Sequence, residues 1–184
     1  MARLNLGSNK KIRKGWINLD AQNLEGVDVV HDVMESPLPF DDGSIDEIYS
    51  SEFLEHIDFR MTRAVLAECY RVMRKGATMT ISCPDIGKMC EYYANGQICE
   101  CVPQKAVRME DFKADPNCKK CGGRAVINPT RWRLAFTGSQ KNEYEYHRNI
   151  ITWDYLRDML DDLGFRNIVK KPNIYKLIVV CEKI

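Results

Sequence analysis

Four cysteines of this chain stand in two pairs, Cys99-x-Cys101 and Cys118-x-x-Cys121, the second followed by Gly122-Gly123. Paired thiolates at such spacing can meet one tetrahedral zinc, and glycines behind the second pair tolerate the positive φ that turns backbone N–H groups toward the sulfurs. Four protein ligands would close the shell, so this zinc is structural. Four unrelated buried thiols, a redox pair or an iron–sulfur cluster are the other readings of the same residues. Cys69, Cys83, Cys90 and Cys181 stand alone in apolar or helical contexts and are expected in the core. His56 and His147 are the candidate catalytic groups, as base or acceptor-orienting residue, because imidazole titrates near neutral pH. His147 follows Tyr144 and Tyr146 just after the cysteine-rich stretch; His56 also reads as a residue opening a helix, and His31 reads as structural.

A third constellation is spread along the first strands. Gly7 follows an apolar run, Asp20 ends the next, and Asp32-Val33 follows a third. An open α/β sheet holds an adenosine this way, with glycine admitting the ligand to the backbone, one acid on the ribose hydroxyls and another beside the base. Each signal alone is weak, since glycines after strands are usually turns and strand-end aspartates usually caps.

The elements that must place these residues follow from periodicity. Arg3–Leu6, Trp16–Asp20, Val27–His31 and Ile45–Ser50 read as strands. Leu54–Met73 carries apolar residues at three- and four-residue intervals, as an amphipathic helix closed by Lys75-Gly76. Ala77–Cys83 reads as a strand, Ile86–Ala94 and Thr152–Leu163 as helices, and Phe165–Val169 and Tyr175–Cys181 as closing strands. Strands alternating with helices imply an α/β fold, a parallel sheet with helices on both faces. One domain spans residues 1–184, with residues 95–137 inserted as a zinc-knuckle or lid subdomain.

Lys plus Arg is 27 against Asp plus Glu 26, which gives no global pull toward nucleic acid or membrane. The charges are nevertheless segregated: residues 20–60 hold twelve acids and one base, whereas residues 99–133 hold eight bases and four acids. The basic stretch matches no nucleic-acid motif. With no leader-like apolar run of about 7–15 residues and no spanning run of about 18, a cytoplasmic protein without membrane contact is expected.

Leu4-Asn5-Leu6-Gly7-Ser8-Asn9, Gly15-Trp16-Ile17-Asn18-Leu19-Asp20, Val29-Val30-His31-Asp32, Leu54-Glu55-His56 and Arg71-Val72-Met73-Arg74-Lys75-Gly76 together resemble a small class I S-adenosylmethionine-dependent methyltransferase of the compact bacterial type. Gly138-Ser139-Gln140, Tyr146-His147 and Leu156 to Phe165 are similar to that group's C-terminal half. The resemblance implies a Rossmann-like sheet and S-adenosylmethionine as cofactor. Gly7 and Ser8 would line the methionine moiety, Asp20 the ribose, Asp32 the adenine, and Ser50 and Ser51 the sulfonium. It leaves the acceptor unidentified; Arg131, Arg133, Gln140, Tyr146 and His147 suit an anionic or polyhydroxylated one. The alternative is a catalytically degenerate binding module whose basic zinc insert grips nucleic acid or protein.

Elemental analysis of chelator-free protein is expected to show about one cysteine-bound zinc per chain, lost on Cys118→Ser with Cys121→Ser; full retention in that variant would refute the ligand set.

Overall fold

The computed structural model describes residues 1–35, 37–95, 116–118, 136–173 and 176–184. Its sheet comprises β1 (Arg3–Leu6), β2 (Ile17–Asp20), β3 (Val29–Val30), β4 (Ile45–Ser51), β5 (Met73–Pro84), β6 (Phe165–Lys171) and β7 (Lys176–Lys183), in the order β3-β2-β1-β4-β5-β7-β6. Strands β1 to β5 pair in parallel, and β7 lies antiparallel between β5 and β6. The helices described are α1 (Thr62–Val72), α2 (Ile86–Asn95) and α3 (Trp153–Asp162). No helix among the described residues is long and apolar enough to cross a membrane.

Strand alternation sends every second residue to one face, and the register lines these up across strands. Leu4, Ile48, Met79 and Cys181 form one such row, and Leu6, Ser50, Ile81 and Val179 the next. All eight are buried. Helix α1 adds Val65, Leu66, Cys69 and Val72 to this core, and α3 adds Leu156 and Leu160. The two helices share that face: Tyr70 of α1 meets Phe165 edge-on at 5.0 Å, and Arg63 pairs with Asp162 at 3.4 Å. Cys69, Cys83 and Cys181 are buried as expected, and burial pushes the Cys69 and Cys181 thiols up to about 12. Cys90 is exposed instead, because it falls on the outer face of α2.

The helix expected over Leu54–Met73 is broken. Leu54–His56 forms a single 3₁₀ turn and α1 begins only at Thr62. The Glu55 carbonyl, which a continuous helix would give to the amide four residues on, accepts instead from the amides of Arg148 at 2.8 Å and Asn149 at 3.2 Å. Strand β5 starts directly at Met73, and Gly76 (φ +78°) lies where its pairing with β4 shifts register, so Lys75-Gly76 is an irregularity within the strand.

Over the first half of the sheet the expected helices are missing: none of the described residues between β1 and β4 is helical. The second face, carrying Asn5, Asn18 and Tyr49, is covered there by the connection over residues 8–16. Arg13 stacks its guanidinium 4.3 Å from the Trp16 ring and 4.0 Å from the Tyr49 ring. Beneath it Asn18 accepts from the Asn5 amide at 2.9 Å and the Arg13 N–H at 2.8 Å, and donates its own N–H to Asp28 at 2.7 Å. Those Asn18 bonds hold the Asp28 carboxyl below its ordinary value.

Asn18→Ala leaves Asn5 and Arg13 without these partners. A loss of about 1–3 kcal/mol in urea unfolding is expected, and no change would show that this polar ladder contributes nothing to stability.

Candidate functional site

The carboxyl ends of four parallel strands open on one cavity. Gly7 follows β1, Asp20 ends β2, His31, Asp32 and Val33 follow β3, and Glu52 and Phe53 follow β4; all line it. Gly7 has φ +69°, and a Cβ there would fall 2.0–2.7 Å from atoms of the Phe53 side chain, so only glycine fits. The amides of Gly7 and Ser8 both donate to the Leu19 carbonyl, at 2.9 and 3.0 Å. Asn9, at φ +44°, turns its amide onto Asp20 Oδ2 at 2.7 Å, and Gln22 donates to Asp20 Oδ1 at 3.0 Å. Each Asp20 oxygen therefore holds one backbone amide and keeps accepting capacity for the cavity. Asp32 Oδ1 accepts from the Met34 amide at 2.9 Å. Beside Gly7, the Ser8 Oγ is buried without a hydrogen-bond partner.

Ser50 and Ser51 do not line the cavity; the strand alternation puts Ser50 in the buried row with Leu6 and Ile81, and the next residues form the wall. His31, read as structural, lines it. Glu52 takes φ +55°, a costly conformation for a non-glycine residue, and pairs with Lys176 at 3.1 Å.

The far wall comes from the turn Glu143–Glu145 and Arg148. Asn142 caps that turn, its side chain accepting from the Tyr144 amide at 2.9 Å. Here the two candidate histidines meet, with ring centroids 4.9 Å apart and planes at 81°. His56 Nδ1 lies 3.0 Å from the Tyr146 carbonyl, and the Glu55 carbonyl holds Arg148 and Asn149, so the turn after β4 is laced to residues 146–149. Burial, then the neighbouring His147, lowers the His56 pKa.

Between them sits a residue to which sequence reasoning gave no role. Glu55 is 2% exposed, and neither carboxylate oxygen has a hydrogen-bond partner. Burial first, and the charge of Glu52 second, raise its pKa from 4.5 to about 8. The available signal was the spacing Glu52-x-x-Glu55-His56, which one turn folds together. Among the described residues, six carboxylates line the cavity (Asp20, Asp32, Glu35, Glu52, Glu143 and Glu145) against one arginine, Arg148. Cys99, Cys101, Cys121, Arg131 and Arg133 lie outside the described residues, as do most of the expected 95–137 insertion and its zinc site.

Residues 8–81 match the family model described as a methyltransferase domain. Over 99% of its length the chain is similar to a SAM-dependent methyltransferase from Archaeoglobus fulgidus, at 15% identity and a TM-score of 0.57, covering 86% of that protein. A SAM-dependent methyltransferase from Thermotoga maritima, described as a possible histamine N-methyltransferase, matches all of the chain at 14% identity and a TM-score of 0.54, with 82% of its own length covered. The 1,6-didemethyltoxoflavin-N1-methyltransferase of Burkholderia thailandensis, solved with S-adenosylhomocysteine bound, matches 99% of the chain at 11% identity and a TM-score of 0.55, with 70% of its length covered. No curated protein matches the sequence. The fold is therefore the Rossmann-like class I methyltransferase sheet.

The Glu55 proton is taken up on folding, so the stability it contributes is complete below pH 4.5 and lost as pH rises through about 8. In EDTA-containing buffer, wild-type stability is expected to fall by a few kcal/mol across that window, and the Glu55→Gln variant to fall less. Superimposable pH profiles would refute the buried, neutral carboxyl.

Proposed function

We propose that the chain is an S-adenosylmethionine-dependent methyltransferase acting on a polar, neutral or cationic acceptor. The observation that carries this reading is the cavity at the strand ends, where Gly7, Asp20 and Asp32 converge from three successive strands. The residues present fit the cofactor. Asp20 has lone pairs left for ribose hydroxyls, Asp32 and Val33 stand where the adenine edge would lie, and Gly7 leaves the backbone open at the methionine end, whereas Ser8, expected there too, is buried and is not among the lining residues. When bound, S-adenosylmethionine supplies an electrophilic methyl group on a sulfonium. The cavity's carboxylates favour a cation there and disfavour an anionic acceptor.

His56 and His147 would act on the acceptor. With Nδ1 committed to the Tyr146 carbonyl, His56 has Nε2 as the nitrogen able to take a proton, and its lowered pKa keeps it neutral near pH 7. Positioning carries most of the catalysis, because a sulfonium methyl needs chiefly an aligned nucleophile. Cys99, Cys101, Cys118 and Cys121 are proposed, on sequence spacing, to hold a structural zinc. The alternative, a binding module without transfer, has no observation in its favour among the described residues.

Titration calorimetry with S-adenosylhomocysteine tests the site. Wild-type protein is expected to bind, and Asp20→Ala to bind about tenfold or more weakly, as loss of a charge-assisted hydrogen bond requires. Equal affinities would displace the cofactor from this cavity.

A further inference from the structure

We propose that Glu55, His56 and His147 form a divalent-metal site at the acceptor wall of the cavity. One ligand atom from each lies within 4.8 Å of the other two, a spacing that a single ion can bridge with small side-chain adjustments. The independent observation is Glu55 itself. Its carboxylate is buried, aimed into the cluster, and has no hydrogen-bond partner on either oxygen. A buried carboxylate without a partner is costly, and a cation supplies the one that is missing.

The surroundings are those of a ligand set. His56 Nδ1 is engaged by the Tyr146 carbonyl, which leaves Nε2 with its lone pair and fixes the ring plane, as carbonyl partners do for metal-bound histidines. His147 is held in place by its backbone. Its amide donates to Thr137 at 3.3 Å, and Gly138 approaches the Glu145 carbonyl so closely that a Cβ would lie 1.8 Å away. Arg148 and Asn149, next along the chain, donate to the Glu55 carbonyl. All three ligands thus belong to one rigid knot rather than to independent loops.

Two imidazoles and one carboxylate suit zinc, iron(II), manganese(II) or cobalt(II), and three protein ligands leave coordination positions open. His56 lines the cavity although Glu55 and His147 do not, so an ion held by the three would sit against the wall that an acceptor meets. Resting on the proposed methyltransferase reading, the acceptor class is then a neutral hydroxyl compound. With an ion bound, His56 Nε2 is a ligand and no longer a base: the acceptor oxygen would occupy an open position, the metal would lower its O–H pKa, the proton would leave to solvent, and the oxygen would take the sulfonium methyl as S-adenosylhomocysteine departs. This also reconciles an acid-lined cavity with an oxygen nucleophile.

Manganese(II) is the probe, because thiolates elsewhere in the chain prefer softer ions. EDTA-treated, desalted full-length protein is titrated with Mn²⁺ while the free-ion EPR signal is followed. The expected result is about one Mn²⁺ bound per chain below about 1 mM, weakened about tenfold or more by Glu55→Gln and by His147→Ala. Glu55→Gln removes a buried ionisable group and is expected to fold at least as well as wild type, checked by its circular dichroism and melting temperature. No Mn²⁺ binding by wild type, or equal binding by both variants, overturns the site. S-adenosylhomocysteine calorimetry on the same metal-free samples separates the two readings. Metal binding without nucleoside binding supports the site and refutes the methyltransferase assignment; nucleoside binding without metal binding does the reverse.

Discussion

The first half of the sheet and the cavity at its edge are arranged around a shortage of backbone between β1 and β4. Few residues connect those strands, and none of those described is helical, so one face of a parallel sheet has no helices to lie against it there. Parallel sheets ordinarily bury both faces under crossover helices. Here polar side chains finish the job: Asn5 donates to Asn18, which also takes the Arg13 amide of the connecting loop, and the Arg13 guanidinium lies over both the Trp16 and the Tyr49 rings. A stacked guanidinium covers aromatic surface at the thickness of one side chain, which a short loop can deliver and a helix cannot. The same loop carries Gly7, Ser8 and Asn9, so the cover of the sheet and the floor of the cavity are one piece of chain.

The opposite wall of the cavity depends on a different economy. Glu55 has two roles at one residue: its carbonyl takes the amides of Arg148 and Asn149, while its carboxylate stays buried without a partner. The first stabilises the junction of two segments distant in sequence. The second destabilises the ionised form and keeps the group poised. Strain at Glu52 and an orphaned carboxylate three residues on, both on the edge where β4 ends, are features that folded proteins retain mainly at functional sites.

Charge follows the same geography. Four of the twelve acids in residues 20–60, Asp20, Asp32, Glu35 and Glu52, line the cavity with Glu143 and Glu145, while bases such as Lys170 and Lys183 are spent on structural contacts, with Asp85 at 2.8 Å and with the Tyr70 carbonyl at 2.8 Å. A near-neutral protein thus presents a strongly anionic pocket. Net charge was silent on that point, whereas the local count along the chain was not.

Much of the sheet was legible because period-two alternation and strand-end residues are local signals: β1, β2, β4 and β7 and the residues Gly7, Asp20 and Asp32 could be read from runs of a few amino acids. The strand order, and the convergence of those three residues on one cavity, required the pairing of strands. Where local pattern and tertiary bonds competed, the tertiary bonds won. The apolar periodicity of Leu54–Met73 is real, yet the Glu55 carbonyl is claimed from ninety-odd residues away, so the helix cannot start until Thr62. Likewise Ser50 and Ser51 looked like site residues by position in sequence, and the register of β4 against β1 and β5 turned Ser50 into the core. The meeting of Glu55 and His56 with His147 could not be read at all, because no periodicity links positions so far apart. Side-chain type and spacing determine which residues can do chemistry; only the closure of the sheet and the lacing of residues 146–149 onto the β4 turn decided which of them share one site.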